Sequence, residues 1–142
     1  GMIISPDLFR KYFKPRYEKL TQLKRKGVYI FLHSCGKIEP IIPDLIDVGI
    51  EILNPVQPDC VDPAELKSKY GDRLAFHGTI SLQKTLTFGS VGEVKNEVLT
   101  RIKTVGVGGG LILAPANTAG SEVPLQNLLA VYETVKSHPY HA

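Results

Sequence analysis

The sequence predicts an α/β domain: four parallel βα units preceded by an N-terminal helix. Three observations carry this. Short, continuously apolar runs begin near residues 28, 51, 74 and 111. Each is followed by a stretch with helix start and stop signals. None alternates cleanly between apolar and polar residues, which is the signature of parallel strands covered by helices.

The elements follow in order. Ser5-Pro6-Asp7 is a helix start, a capping serine followed by proline at the first helical position. Leu8, Phe9, Tyr12, Phe13, Tyr17, Leu20 and Leu23 keep helical spacing, Pro15 kinks or restarts the run, and Lys24-Arg25-Lys26-Gly27 closes it. "VYIFLH" (28–33) is the first strand. "EPIIPDLIDVG" is a helix stopping at Gly49, and "EILNPV" is the second strand. Asp62-Pro63-Ala64-Glu65 is a capping box that opens a helix over 63–70. "RLAFHGT" is the third strand, and Ser90-Val91-Gly92-Glu93 caps a helix running to Gly106. "GVGGG" (106–110) follows a helix and precedes a strand, the reverse of a dinucleotide-binding loop, and reads as a helix stop and tight turn. "LILA" is the fourth strand, and the last helix begins near Pro124.

The 142 residues are enough for one domain with its own core, taken as 1–142 without an internal boundary. Hydrophobic residues make up 43% and charged residues 22%, and no apolar run approaches the ~20 residues of a membrane span. Gly1 before Met2 reads as an expression scar. No signal peptide is recognised, and two cysteines make no disulfide framework, so a cytoplasmic, reducing setting is expected. Residues 1–27 carry eight Lys and Arg against Asp7 and Glu18, a net +6, whereas the remaining nine bases and twelve acids net −3. A solvated outer helix face is the simplest account of that basic stretch. No helix-turn-helix or aromatic-interleaved pattern supports a nucleic-acid partner.

Ligands of parallel α/β folds meet the carboxyl ends of the strands. There the sequence places His33 and Cys35, then Asn54, Gln57 and Cys60, then His77 and Thr79, then Asn117 and Thr118. His33 and Cys35 are two residues apart on an extended chain, so they share a face with Cα atoms roughly 6.5–7 Å apart. One zinc ion could bridge such a pair, with Cys60 or His77 as a further ligand; a metal-free thiol and imidazole is the alternative. No Ser-His-Asp order or nucleophile elbow is present, so no catalytic residue is assigned. Asp44, Asp47, Asp59 and Asp62 lie near loops and helix starts, where capping accounts for them.

"HSCGKIEPIIPDLIDVGIEILNPVQP", "LKSKYGDRLAFHGTIS" and "GGGLILAPANTAGSEVPLQNLLAVYE", in that order, resemble the C-terminal half of the uroporphyrinogen decarboxylase superfamily. The superfamily comprises the decarboxylase and cobalamin-dependent methyltransferases. The resemblance covers nearly the whole chain and implies half of a (β/α)8 TIM-type barrel. In the methyltransferase branch a His-x-Cys motif and a distant cysteine bind zinc, which activates the acceptor thiol. His33 and Cys35 match the first part. The distant cysteine falls at Asn117, which also departs from the histidine typical of the decarboxylases; Asn117 could still orient a ligand.

The resemblance thus implies a methyltransferase-like domain, incomplete as an enzyme alone, passing a methyl group from a corrinoid to a zinc-bound thiol. The substrate would be a small molecule or a corrinoid protein. Tetrapyrrole decarboxylation is a second expectation, although the arginine-rich loop and aspartate of the decarboxylases belong to the N-terminal half. A non-catalytic binding or assembly half-barrel is the third. A four-strand half-barrel has two open edges and an uncovered concave face. The expected partner is therefore a second copy or a separate N-terminal half-barrel. No membrane or nucleic-acid partner is expected.

Overall fold

An edge strand keeps only those residues that find a ladder partner, and this sets where the sheet begins. The computed structural model describes residues 2–138. Strand β1 is Phe31–His33, shorter than the expected 28–33, because it pairs on one side only, Phe31 opposite Ile52 through His33 opposite Asn54. Strands β2 (Ile52–Val56), β3 (Ala75–Ile80) and β4 (Leu111–Pro115) follow. All pairs are parallel, in the order β1-β2-β3-β4. An order without reversal puts every crossover helix on one side of the sheet, as in a segment of a barrel.

The helices are α1 (Pro6–Leu8), α2 (Lys14–Thr21), α3 (Ile42–Asp47), α4 (Pro63–Tyr70), α5 (Val91–Thr104) and α6 (Leu125–Ser137). Ser5 caps α1 by accepting from the Leu8 N–H at 3.2 Å, and a wide π turn over Phe9–Phe13 joins α1 to α2. Pro15 sits in the first turn of α2, where its missing N–H costs nothing, so it restarts the helix. The helix stops at Thr21 rather than near Gly27. Lys24 instead reaches the Glu51 carboxylate at 2.6 Å. Asp62 and Ser90 cap α4 and α5 as expected, the latter through a complete capping box. A second π turn, Leu82–Leu86, capped by Ser81, was not foreseen from the sequence.

Side chains alternate across the sheet, and its two faces differ. Leu53, Phe76 and Ile80 are buried outward under the helices, together with Ile42, Leu45, Leu66, Leu86, Val94 and Val98. On the inner face Phe31 and Ile112 are 48% and 42% exposed. No helix among the described residues is long and apolar enough to cross a membrane.

The acidic residues need a correction. Only Asp62 acts as a helix cap. Asp44 is buried and pairs with Arg10 at 3.0 Å and Lys14 at 2.9 Å, Asp47 pairs with Lys14, and Asp59 holds Ser81 and Lys84. Part of the basic N-terminal stretch is therefore neutralised internally. The partners of Asp44 lie 30 or more residues away, beyond the reach of local pattern. Burial pushes the Asp44 carboxyl up, but the hydrogen bonds from Lys14 and Arg10 outweigh it and hold the group below its ordinary range.

Candidate functional site

Register assembles the site. His33 lies opposite Asn54 in the β1–β2 ladder, and Leu53 lies opposite Phe76 in the next, so His33, Asn54 and His77 come side by side at the carboxyl end of the sheet. His33 Nδ1 and Asn54 Oδ1 are 2.6 Å apart, and Asn54 Nδ2 and His77 Nδ1 are 2.6 Å apart. Asn54 is 8% exposed. His77 meets the Phe31 ring edge to face, at 5.4 Å between centroids, and burial lowers its pKa.

Cys35 lies just beyond β1 and is exposed. Its Sγ is nevertheless 3.4 Å from His33 Nε2. The Asn117 amide donates toward the same sulfur across 3.8 Å, from the loop after β4. One row of polar atoms thus runs from His77 through Asn54 and His33 to Cys35 and Asn117. Beside it is an open cleft of about 410 Å³, lined by His33, Asn54, Pro55, His77, Asn117 and Thr118 among others.

The remaining strand-end residues do other work. Gln57 accepts the Gly36 N–H at 2.7 Å and so fixes the turn that carries Cys35. Thr79 is fully buried at φ 78°, in the left-handed region, and its carbonyl accepts from Arg101 at 2.9 Å. It does not line the cleft. Cys60 is half-buried, and among the described residues no three of His, Cys, Asp and Glu are grouped to hold a metal ion. The bridging role of Asn54 was missed at the sequence level, because "NPVQP" becomes informative only when the register sets residue 54 between 33 and 77.

The His33–Cys35 geometry suits two corners of a zinc tetrahedron. With Zn–N about 2.1 Å and Zn–S about 2.3 Å, two such ligands stand about 3.6 Å apart. The 3.4 Å between Nε2 and Sγ is close to that. The Asn117 amide lies 3.8 Å from the same sulfur, and an amide is not among the usual zinc donors.

A family model described as uroporphyrinogen decarboxylase (URO-D) matches residues 1–138. A methylcobamide:CoM methyltransferase MtaA from Methanosarcina barkeri is 33% identical over 129 residues, covering 91% of this chain and 36% of that protein. The MtaA of Methanosarcina barkeri strain Fusaro / DSM 804 is 32% identical over 131 residues, with the same coverage. The solved structure of a methyltransferase from Methanosarcina mazei superposes with a TM-score of 0.76 at 29% identity, over 96% of this chain and 39% of that one. The chain spans little more than a third of the length of these relatives, and its sheet is a partial TIM-barrel-like fold.

Proposed function

From the premise that the chain belongs to the uroporphyrinogen decarboxylase (URO-D) family, we propose that it is a methyltransferase-like domain serving transfer of a methyl group from a corrinoid to a thiol, with zinc held by His33 and Cys35. The observation that carries this is the 3.4 Å separation of Nε2 and Sγ at the carboxyl end of the sheet. The methylcobamide:CoM methyltransferases among its relatives support the donor and acceptor classes.

His33 and Cys35 are the residues that would hold the ion. Bound there, zinc supplies a positive charge that lowers the pKa of a thiol and delivers it as thiolate, the nucleophilic form. The Asn117 N–H donates to the Cys35 sulfur and fixes its direction. Pro55, Pro115 and Ala119 give the cleft an apolar wall beside the polar row. Gln57 keeps the Cys35 turn in place through the Gly36 N–H. The uncovered inner face is closed in this reading by a second half-barrel, either a second copy or a separate N-terminal half. Tetrapyrrole decarboxylation is the weaker reading, since among the described residues no Arg or Lys lines the cleft to hold carboxylates.

Metal analysis of the purified full chain, beside a Cys35→Ser variant, tests the proposal. Zinc near one equivalent that is lost in the variant is the expected result. No bound metal after zinc is offered at neutral pH overturns it and leaves a binding or assembly half-barrel.

A further inference from the structure

Asn54 stands between two imidazoles, and a primary amide is asymmetric. Its oxygen only accepts hydrogen bonds and its nitrogen only donates them. Oδ1 lies 2.6 Å from His33 Nδ1, so that ring nitrogen carries a proton and donates it. Nδ2 lies 2.6 Å from His77 Nδ1, so with the amide in this direction that nitrogen is the acceptor. In a neutral ring the other nitrogen takes the opposite state. His33 Nε2 therefore holds a lone pair, and it faces Cys35 Sγ at 3.4 Å.

We infer that Asn54 and His77 are positioning residues: together they lock His33 in its Nδ1–H tautomer and turn its Nε2 lone pair toward Cys35, ready for a soft cation. The chain of constraint runs backward from the thiol. Asn54 is buried in β2, and a half-turn of its amide would put Nδ2 against His33 Nδ1. His33 would then have to protonate Nε2, closing the lone pair. A half-turn would also require a proton on His77 Nδ1 in place of the lone pair, so the amide and the two rings change state only together. His77 is packed edge-on against Phe31 in surroundings that favour its uncharged form. Metal-binding histidines commonly have their second nitrogen fixed by a carboxylate or a carbonyl; here a side-chain amide does it, and its own orientation is set by a second histidine one strand further on.

The tautomer follows from the direction of the Asn54 amide, whereas its use in binding metal rests on the zinc reading above. The test separates the two. The full chain is labelled with ¹⁵N-histidine, and its ring nitrogens are read by long-range proton–nitrogen correlation. His33 is expected as the Nδ1–H tautomer and His77 as the Nε2–H tautomer. His77→Gln keeps an acceptor oxygen for Asn54 and should preserve the His33 tautomer. His77→Leu removes it and should let His33 populate the Nε2–H form. Cobalt(II), followed by its sulfur-to-metal absorption, should bind about tenfold to hundredfold more weakly to the Leu variant, with the Gln variant close to the parent. A His33 Nε2–H tautomer in the parent, or a tautomer unmoved by His77→Leu, overturns the relay. If the tautomer is as stated but cobalt does not bind, the zinc reading falls and the relay stands. If cobalt binds but the tautomer ignores His77, the zinc reading stands and the relay falls.

Discussion

The two faces of one sheet have opposite characters. Outward, Phe76 is fully buried and Leu53 is 2% exposed beneath the helices. Inward, Phe31 is 48% exposed one residue from where Leu32 turns to the core. The outer face is dry and holds the fold; the inner face is open and carries the row from His77 to Cys35. Exposed large apolar side chains follow the same division. They crowd the N-terminal segment, with Leu8, Tyr12, Phe13, Leu20, Leu23 and Tyr29, and reappear on α6 with Leu125, Leu129 and Tyr132. From 32 to 87 there is none among the described residues. Apolar surface is thus uncovered mainly beside the two free strands, as expected of a barrel segment with two seams, with Phe88 and Val107 exposed between them.

The largest effect that could break this comparison is on stability. Phe76→Ala should cost about 3–5 kcal/mol, because a fully buried ring leaves a cavity that packed helices cannot close. Phe31→Ala in the isolated chain should cost about 1 kcal/mol, chiefly the lost edge-to-face contact with His77. Urea unfolding of both variants checks this. Equal losses would mean that the inner face is already covered in solution. Next comes metal affinity. Asn117→Cys puts a thiol where the amide now lies 3.8 Å from Cys35 Sγ. Zinc should bind more tightly by more than the tenfold to hundredfold that an outer-shell partner contributes, measured by competition with a chelator. Unchanged affinity would show that the loop after β4 does not deliver residue 117 to the metal.

Assembly is the third test. Light scattering of the parent should report more than one chain mass, with Tyr132→Glu on the exposed α6 stripe shifting it toward one chain. A well-folded parent species of a single chain mass would remove the argument that the seams need a partner.

The local grammar of the fold was readable without coordinates. Asp62-Pro63 opens α4 and Tyr70 ends it as expected, and Ser90 with Glu93 forms the capping box that starts α5. Caps and stops act within one turn, so a linear pattern contains them. Register does not act locally. That His33 meets Asn54, and Asn54 meets His77, depends on two ladders whose alignment no short motif encodes, with an irregularity in β2 between Leu53 and Val56. The same limit hid the partners of Asp44, since Arg10 and Lys14 come from another helix. His33 and Cys35 were legible as a pair because they are two residues apart. Asn54 as the hinge of the row was not.

The smallest expected effect separates the two faces by pH. Asp44 ties the N-terminal segment to α3 on the outer side, and its carboxyl is held below the ordinary range by Lys14 and Arg10 after burial has acted the other way. Glu51 is lowered by Lys24 and by the Ile30 N–H. For a lowered carboxylate the unfolded chain takes up protons first. The stabilisation is therefore complete above the ordinary carboxylate range and is lost as pH falls through the depressed folded value. Lys14 works in the opposite sense. Its raised pKa contributes fully below the ordinary lysine range and fades as pH climbs through the raised value. Urea midpoints followed from neutral pH into acid should decline, and Asp44→Asn should flatten that decline. The His33 tautomer should not respond to Asp44→Asn, because Asp44 serves the outer face and shares no hydrogen bond with the row from His77 to Cys35. A change there would mean that the N-terminal segment and the inner face act as one unit.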